Sequence, residues 1–277
     1  MIFTSFIPRA QLAPYVESIW MQEDLCAVNF GTINPIKVLP TTAVTMGFQY
    51  GDKQEVVRNG VGSTLSHHGV SGIQTAPVLY RNSGTIGSII VRFKPWGAAN
   101  FFRTPLMELK DRNTDGESLL NRQAVADVID RLRNCPDAEA RIATVENYLC
   151  SLLLDRPIDR VVAAITVEMQ QAQGLCRIDT MADRAGISKR QLERRFNEII
   201  GVSPKKFASI IRFQSVLQLS PRNKNLTALA YDAGYFDQAH FIKDFQAFAG
   251  ESPEVFFAGF LQPELAGKFN GGERVYR

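Results

Sequence analysis

Two stretches of the C-terminal half repeat one pattern, and nothing else in the chain restricts its fold as tightly. SKRQLERRFNEIIGVSP begins at Ser188 and DQAHFIKDFQAFAGESP begins at Asp237. Leu192 answers Phe241, Phe196 answers Phe245, and Gly201-Val202-Ser203-Pro204 answers Gly250-Glu251-Ser252-Pro253, each at an offset of 49. Just upstream, Ala182 and Gly186 recur as Ala230 and Gly234 at an offset of 48, so the second copy carries one extra residue in its turn. Periodic self-similarity of this kind marks a duplicated supersecondary unit.

The residue types specify the unit. An Ala four residues before a Gly lets two helices cross closely at a sharp turn, and the Gly accepts the positive φ that ends the first helix. Ser188 and Asp237 are N-cap residues for the next helix, and Ser203-Pro204 and Ser252-Pro253 each place a cap before a proline at the first helical position. Leu192 with Phe196, and Phe241 with Phe245, are four apart and anchor one face of each capped helix. Helix, tight turn, capped helix, twice over, is helix-turn-helix geometry.

With those anchors inward, Lys189, Arg190, Glu193 and Arg194 face out from the first capped helix, and Gln238, Ala239, Ile242 and Lys243 from the second. Arg pairs with guanine, Gln with adenine and Glu with cytosine, while apolar groups touch a thymine methyl. Residues 204–219 form a connecting helix of roughly 24 Å, held by Phe207, Ile210, Ile211, Val216 and Leu217. Such a strut lets two readers enter successive major-groove turns, about 34 Å apart, or closer if the DNA bends. Lys205, Lys206 and Arg212 on it are candidate phosphate contacts.

Charge distribution agrees. The net charge is +3, yet residues 1–154 balance at zero, and residues 177–224 hold 11 basic against 4 acidic side chains. A basic stretch of this kind meets phosphates, although a solvated helix face has the same composition. The four cysteines include no C-x-x-C pair and read as reduced thiols. No signal peptide opens the chain and no run is apolar enough for a bilayer, so a soluble, cytoplasmic protein is expected.

Upstream, residues 3–93 hold short β-branched runs such as IKVLP, AVTMGFQY and GTIGSIIVRF between turn residues, the signature of an antiparallel sandwich or barrel. From Gly97 the spacing becomes helical: AANFFRTPLMELK, then RQAVADVIDRLRN, then ARIATVENYLCSLLL, whose Ile142, Val145, Leu149 and Leu152 serve either the domain's own core or a dimer seam. The polar DRPID break at 155–159 divides the chain into domains 1–154 and 155–277. The fold class is α+β, a β-barrel with helices followed by an all-α domain holding two helix-turn-helix units.

SKRQLERRF…GVSPKKF and AYDAGYFDQAHFIKDFQAFAGESP, within about residues 157–260, resemble the AraC/XylS family of transcription regulators. The resemblance implies a seven-helix domain with two readers of double-stranded DNA, and a base-contact role for Arg190, Glu193 and Arg194, then Gln238, Ala239, Ile242 and Lys243. Ala239 and Ile242 are small or apolar where members often carry polar side chains. LAPYVESIW, VLP at 38–40 and IVRFKPWGAANFF resemble the cupin-like β-barrel sensor of one AraC subgroup, although Trp96 and Thr41-Thr42 stand where Gly and Asp-Gly are expected.

Enzyme chemistry finds little footing. A cupin metal site needs two or three histidines with a carboxylate, and the chain has only His67, His68 and His240. His67 and His68 on one strand face opposite ways, and no G-x-S-x-G is present. No catalytic residue, metal or cofactor is expected. The alternative is an enzyme or ligand carrier based on the barrel, with an accessory DNA-binding module. The mechanism expected of the layout is that the N-terminal domain binds a small-molecule effector or forms a homodimer, shifting the readers relative to promoter and RNA polymerase.

Overall fold

The computed structural model describes residues 2–24, 36–58, 60–82, 84–218 and 226–259. The N-terminal half contains strands β1 (Ile2–Phe6), β2 (Val16–Asp24), β3 (Ile36–Val38), β4 (Thr45–Gln49), β5 (Gln54–Arg58), β6 (Val61–Thr64), β7 (His68–Ser71), β8 (Val78–Asn82), β9 (Ile86–Phe93) and β10 (Asn113–Asp115). They form two antiparallel sheets, ordered β1-β2-β9-β4-β7-β10 and β3-β8-β5-β6. Alternation along each strand gives the larger sheet two characters. One face carries Met46, Phe48, Val70, Ile89, Val91 and Phe93, all buried. The other turns toward the smaller sheet, where Asn113 Nδ2 donates to Tyr80 Oη at 2.7 Å and Gln49 Nε2 to Gln54 Oε1 at 3.1 Å. The expected barrel is thus realised as two facing sheets among the described residues.

Helices cover the apolar face: α1 (Gly116–Leu119), α2 (Arg122–Asn134) and α3 (Ala138–Leu152). Asn121 and Asp137 cap the last two, accepting from Ala124 N at 3.0 Å and Ala140 N at 2.8 Å. Ile142, Val145 and Leu149 of α3 are buried in the chain's own core, which decides between core and dimer seam for those side chains. The segment AANFFRTPLMELK departs from its helical expectation. It forms two short 3-10 turns, Ala98–Asn100 and Leu106–Leu109. Pro105 explains the interruption, because it lacks an N–H and holds Thr104 away from helical backbone angles.

The helical half follows in α4 (Arg160–Gln171), α5 (Ile178–Arg184), α6 (Lys189–Ile199), α7 (Pro204–Gln218), α8 (Leu226–Asp232), α9 (Gln238–Ala249) and α10 (Pro253–Gly259). Leu219 and Phe260, the expected ends of the strut and of the helical region, lie outside the described residues. Residues 153–159 carry neither helix nor strand, and Asp159 ends them by capping α4. The two halves are packed together: one buried cluster runs from Leu12 and Phe93 through Leu106 into Ile200, Val202 and Phe207. The Arg156 guanidinium adds a 2.6 Å bond to the Phe102 carbonyl.

Candidate nucleic-acid interface

Both repeat units fold as their residue types require. Gly186 and Gly234 hold φ of +67° and +71°, and the amides of Ile187 and Tyr235 close the turns onto the carbonyls of Ala182 and Ala230 at 3.1 and 3.0 Å. Ser188 and Gln191 form a reciprocal capping box, with Gln191 N donating to Ser188 Oγ at 3.2 Å and Ser188 N to Gln191 Oε1 at 2.9 Å. Asp237 accepts from His240 N at 2.7 Å. Leu192, Phe196, Phe241 and Phe245 are fully buried. Phe196 meets Phe207 of α7 edge-on at 5.9 Å, and Phe245 meets Phe213 of the same helix at 5.3 Å. Both capped helices are therefore bolted to one strut by aromatic pairs.

The surface left over carries the side chains singled out by sequence. Lys189, Arg190, Glu193 and Arg194 are exposed on α6; Gln238, Ala239 and Lys243 are exposed on α9, with Ile242 half-buried beside them. Two are engaged locally. Lys189 Nζ lies 2.9 Å from Asp179 Oδ1 of α5, and that carboxylate holds the ammonium pKa above its ordinary value. Gln238 Oε1 accepts from Thr227 Oγ1 at 2.9 Å. Arg190, Arg194 and Lys243 hold no ion pair among the described residues, and Arg195, just behind, is drawn to Asp159 at 3.6 Å.

The strut cations divide. Lys205 is exposed, while Lys206 is half-buried with its ammonium 5.1 Å from the centre of the Phe248 ring. Arg212 stacks its guanidinium 5.2 Å over Tyr235, donates to Ser209 Oγ at 3.4 Å and keeps Nε out of solvent. Its guanidinium packs the second turn against the strut. Helix spacing could place Arg212 on a face but could not reveal this aromatic partner. Burial pushes the Tyr235 hydroxyl up to about 12, so the ring stays neutral under the cation.

A feature that sequence reasoning passed over lies at the far ends of α6 and α9. Gly201 and Gly250, equivalent in the repeat, end α6 and α9 with φ of +96° and +78°. Both sit against the N-terminal half. A Cβ on Gly201 would come within 2.8 Å of the Leu106 carbonyl oxygen, and one on Gly250 within 3.0 Å of Pro77. Beside Gly250, Glu251 accepts from Lys37 of β3 at 2.5 Å. Each of α6 and α9 stands with its C-terminal end on the β-rich half and its capped end away from that contact.

Comparison with known proteins places these units. Residues 181–259 match the family described as a helix-turn-helix domain, and residues 4–115 match a domain of unknown function (DUF6597). An HTH-type transcriptional regulator of Haemophilus influenzae is 30% identical over 113 residues, which is 40% of this chain and 37% of that protein's length. Among solved structures, ToxT from Vibrio cholerae is 9% identical with a TM-score of 0.45, covering 93% of this chain and 98% of that one. A transcriptional regulator with an AraC-type DNA-binding domain from Chromobacterium violaceum is 24% identical with a TM-score of 0.35, covering 38% and 95%. These two likenesses are too loose to carry an argument about function. The family match and the repeat geometry agree: residues 181–259 carry a helix-turn-helix domain, and it follows an antiparallel β-domain.

Proposed function

We propose that this chain is a DNA-binding transcription regulator of the AraC type, which grips one duplex with both units at once, α6 and α9 lying in consecutive major-groove turns. The observation that carries the reading is the paired geometry: two repeat-equivalent helices, each capped at its reading end and anchored at its far end. Arg190, Glu193 and Arg194 contact bases from the first, with Lys189 released from Asp179. Gln238, Ala239, Ile242 and Lys243 do so from the second. Lys205, Lys206 and the free amides at the capped helix starts meet phosphates. Arg212 joins that set with its guanidinium already stacked on Tyr235.

Regulation enters through the N-terminal half. A small-molecule effector or a second copy of the chain that shifts β3 or the 3-10 turn at Leu106–Leu109 would move the Lys37–Glu251 and Leu106–Gly201 contacts. The placement of the readers before RNA polymerase would move with them. No helix among the described residues is long and apolar enough to cross a membrane; we place the protein in the cytoplasm with its DNA target, acting without catalysis.

The test is affinity for duplexes selected from a random pool at fixed salt. Selected DNA should bind at least about a thousandfold tighter than random duplex, with most of that ratio lost in the Arg190→Ala, Arg194→Ala double variant. Equal binding to all DNA, vanishing at moderate salt, would instead favour a carrier or enzyme with an accessory basic module.

A further inference from the structure

The two reading surfaces are built on one scaffold and differ in chemistry. At the repeat offset of 49, Arg190 is replaced by Ala239, Glu193 by Ile242 and Arg194 by Lys243. The first helix thus presents hydrogen-bonding and charged groups where the second presents two apolar side chains and one cation. The turns differ as well. Through Ile187 and Tyr235 the backbone bonding is the same at an offset of 48, as the matched amide bonds to Ala182 and Ala230 show. From Ser188 and Asp237 onward the offset is 49. Phe236 is therefore the inserted residue.

An apolar residue immediately before an N-cap ordinarily folds back as a staple on the helix it precedes. Here Tyr235 occupies that inward place, 4% exposed and 5.3 Å from the Phe241 ring. Phe236 is pushed out and is 89% exposed, among the highest values for large apolar side chains in the described chain. It stands one residue before the N-cap of α9, at the end of a reading helix that enters the groove first. An exposed phenyl ring at that position, three residues before Ala239 and six before the half-buried Ile242, is suited to an apolar partner on the duplex. In the major groove the apolar group on offer is the thymine 5-methyl.

We propose that the second reading helix recognises thymine by its methyl group, with Phe236, Ala239 and Ile242 as the contacting side chains. The inference rests on the reading of α9 as a base-reading helix. Lys243 secures the adjacent phosphate or guanine edge, so the second half-site is T-rich and is read by shape and methyl contact. The first half-site is read by the hydrogen bonds of Arg190, Glu193 and Arg194.

Deoxyuridine tests this directly, because it removes the methyl and leaves every hydrogen-bonding group of thymine in place. With the full chain and its selected duplex, each thymine is replaced singly by deoxyuridine and the dissociation constant is read by fluorescence anisotropy. The half-site of the first unit is located as the positions at which Arg194→Ala loses discrimination. In the other half, one to three replacements should weaken wild-type binding by about fourfold each. At least one of these replacements, at the methyl met by Phe236, should have no effect on Phe236→Ala, whose melting temperature should equal wild type because the ring touches little of the fold. Three results would overturn the proposal: every deoxyuridine tolerated within twofold, Phe236→Ala binding the selected duplex as wild type does, or Phe236→Ala weakening selected and random duplex alike. A pool that yields no preferred duplex at all is a separate failure, that of the base-reading role itself.

Discussion

His68 sits in surroundings unlike those of His240, which is exposed. It is buried on β7, edge-on to Phe48 at 4.7 Å and to Tyr148 of α3 at 5.8 Å, and neither ring nitrogen has a protein partner. Burial drives its pKa down to about 4, against a small upward pull from Asp115, so the core holds the neutral ring. The folded value lies below the unfolded one of about 6.5, hence the unfolded chain takes up the proton first. The contribution to stability is complete above pH 6.5 and is lost as pH falls toward 4, by up to about 3 kcal/mol. Urea unfolding of wild type should show that decline, and His68→Leu should flatten it; an equal slope in both would refute the assignment. Gly116 admits the ring, since a Cβ there would overlap His68 Nδ1. Strand alternation put the two adjacent histidines on opposite faces but could not say that one would be sealed under a helix. That depended on α3 and on Tyr148, 80 residues further along the chain.

At the scale of elements, nearly all of the helix-turn-helix scaffold was legible, because it is local. Caps, turn glycines and anchors act within a few residues of themselves, and the repeat supplied each of them twice. Asp237→Ala should therefore cost about 1 kcal/mol in thermal or chemical unfolding, with Asp237→Ser restoring most of it. Selected-duplex affinity should fall with it, because the end of α9 proposed to contact bases frays; unchanged stability in Asp237→Ala would show that the cap contributes nothing. Less was legible where an element depends on distant packing. AANFFRTPLMELK has helical spacing, yet Pro105 cuts it into 3-10 turns whose Leu106 serves the contact with Gly201. The extra residue of the second turn was visible in the offsets, but an apolar Phe236 before an N-cap would be expected to fold inward. Only Tyr235 filling that place turns it out.

Over the whole molecule, the two repeat-equivalent glycines tie α6 and α9 to the β-rich half by separate contacts. The Lys37–Glu251 pair, each side chain about one-third exposed, should give a double-mutant coupling under about 1 kcal/mol, so it aligns α9 more than it stabilises it. Gly250→Ala strains a left-handed residue and presses on Pro77. Hydrogen exchange should rise in α9 and α10 while α6 keeps its protection, and Gly201→Ala should show the converse; loosening of both units by either change would mean that the anchors are not separate. These contacts join residues far apart in the chain, and neither composition nor periodicity announces them.

The central claim is that α6 and α9 read consecutive grooves of one duplex, and hydroxyl-radical footprinting of the full chain on its selected DNA addresses it most directly. Two protected patches on one face, about 10 base pairs apart, are predicted, with Arg194→Ala erasing one and Lys243→Ala the other. A single patch, or both substitutions erasing the same one, would contradict it.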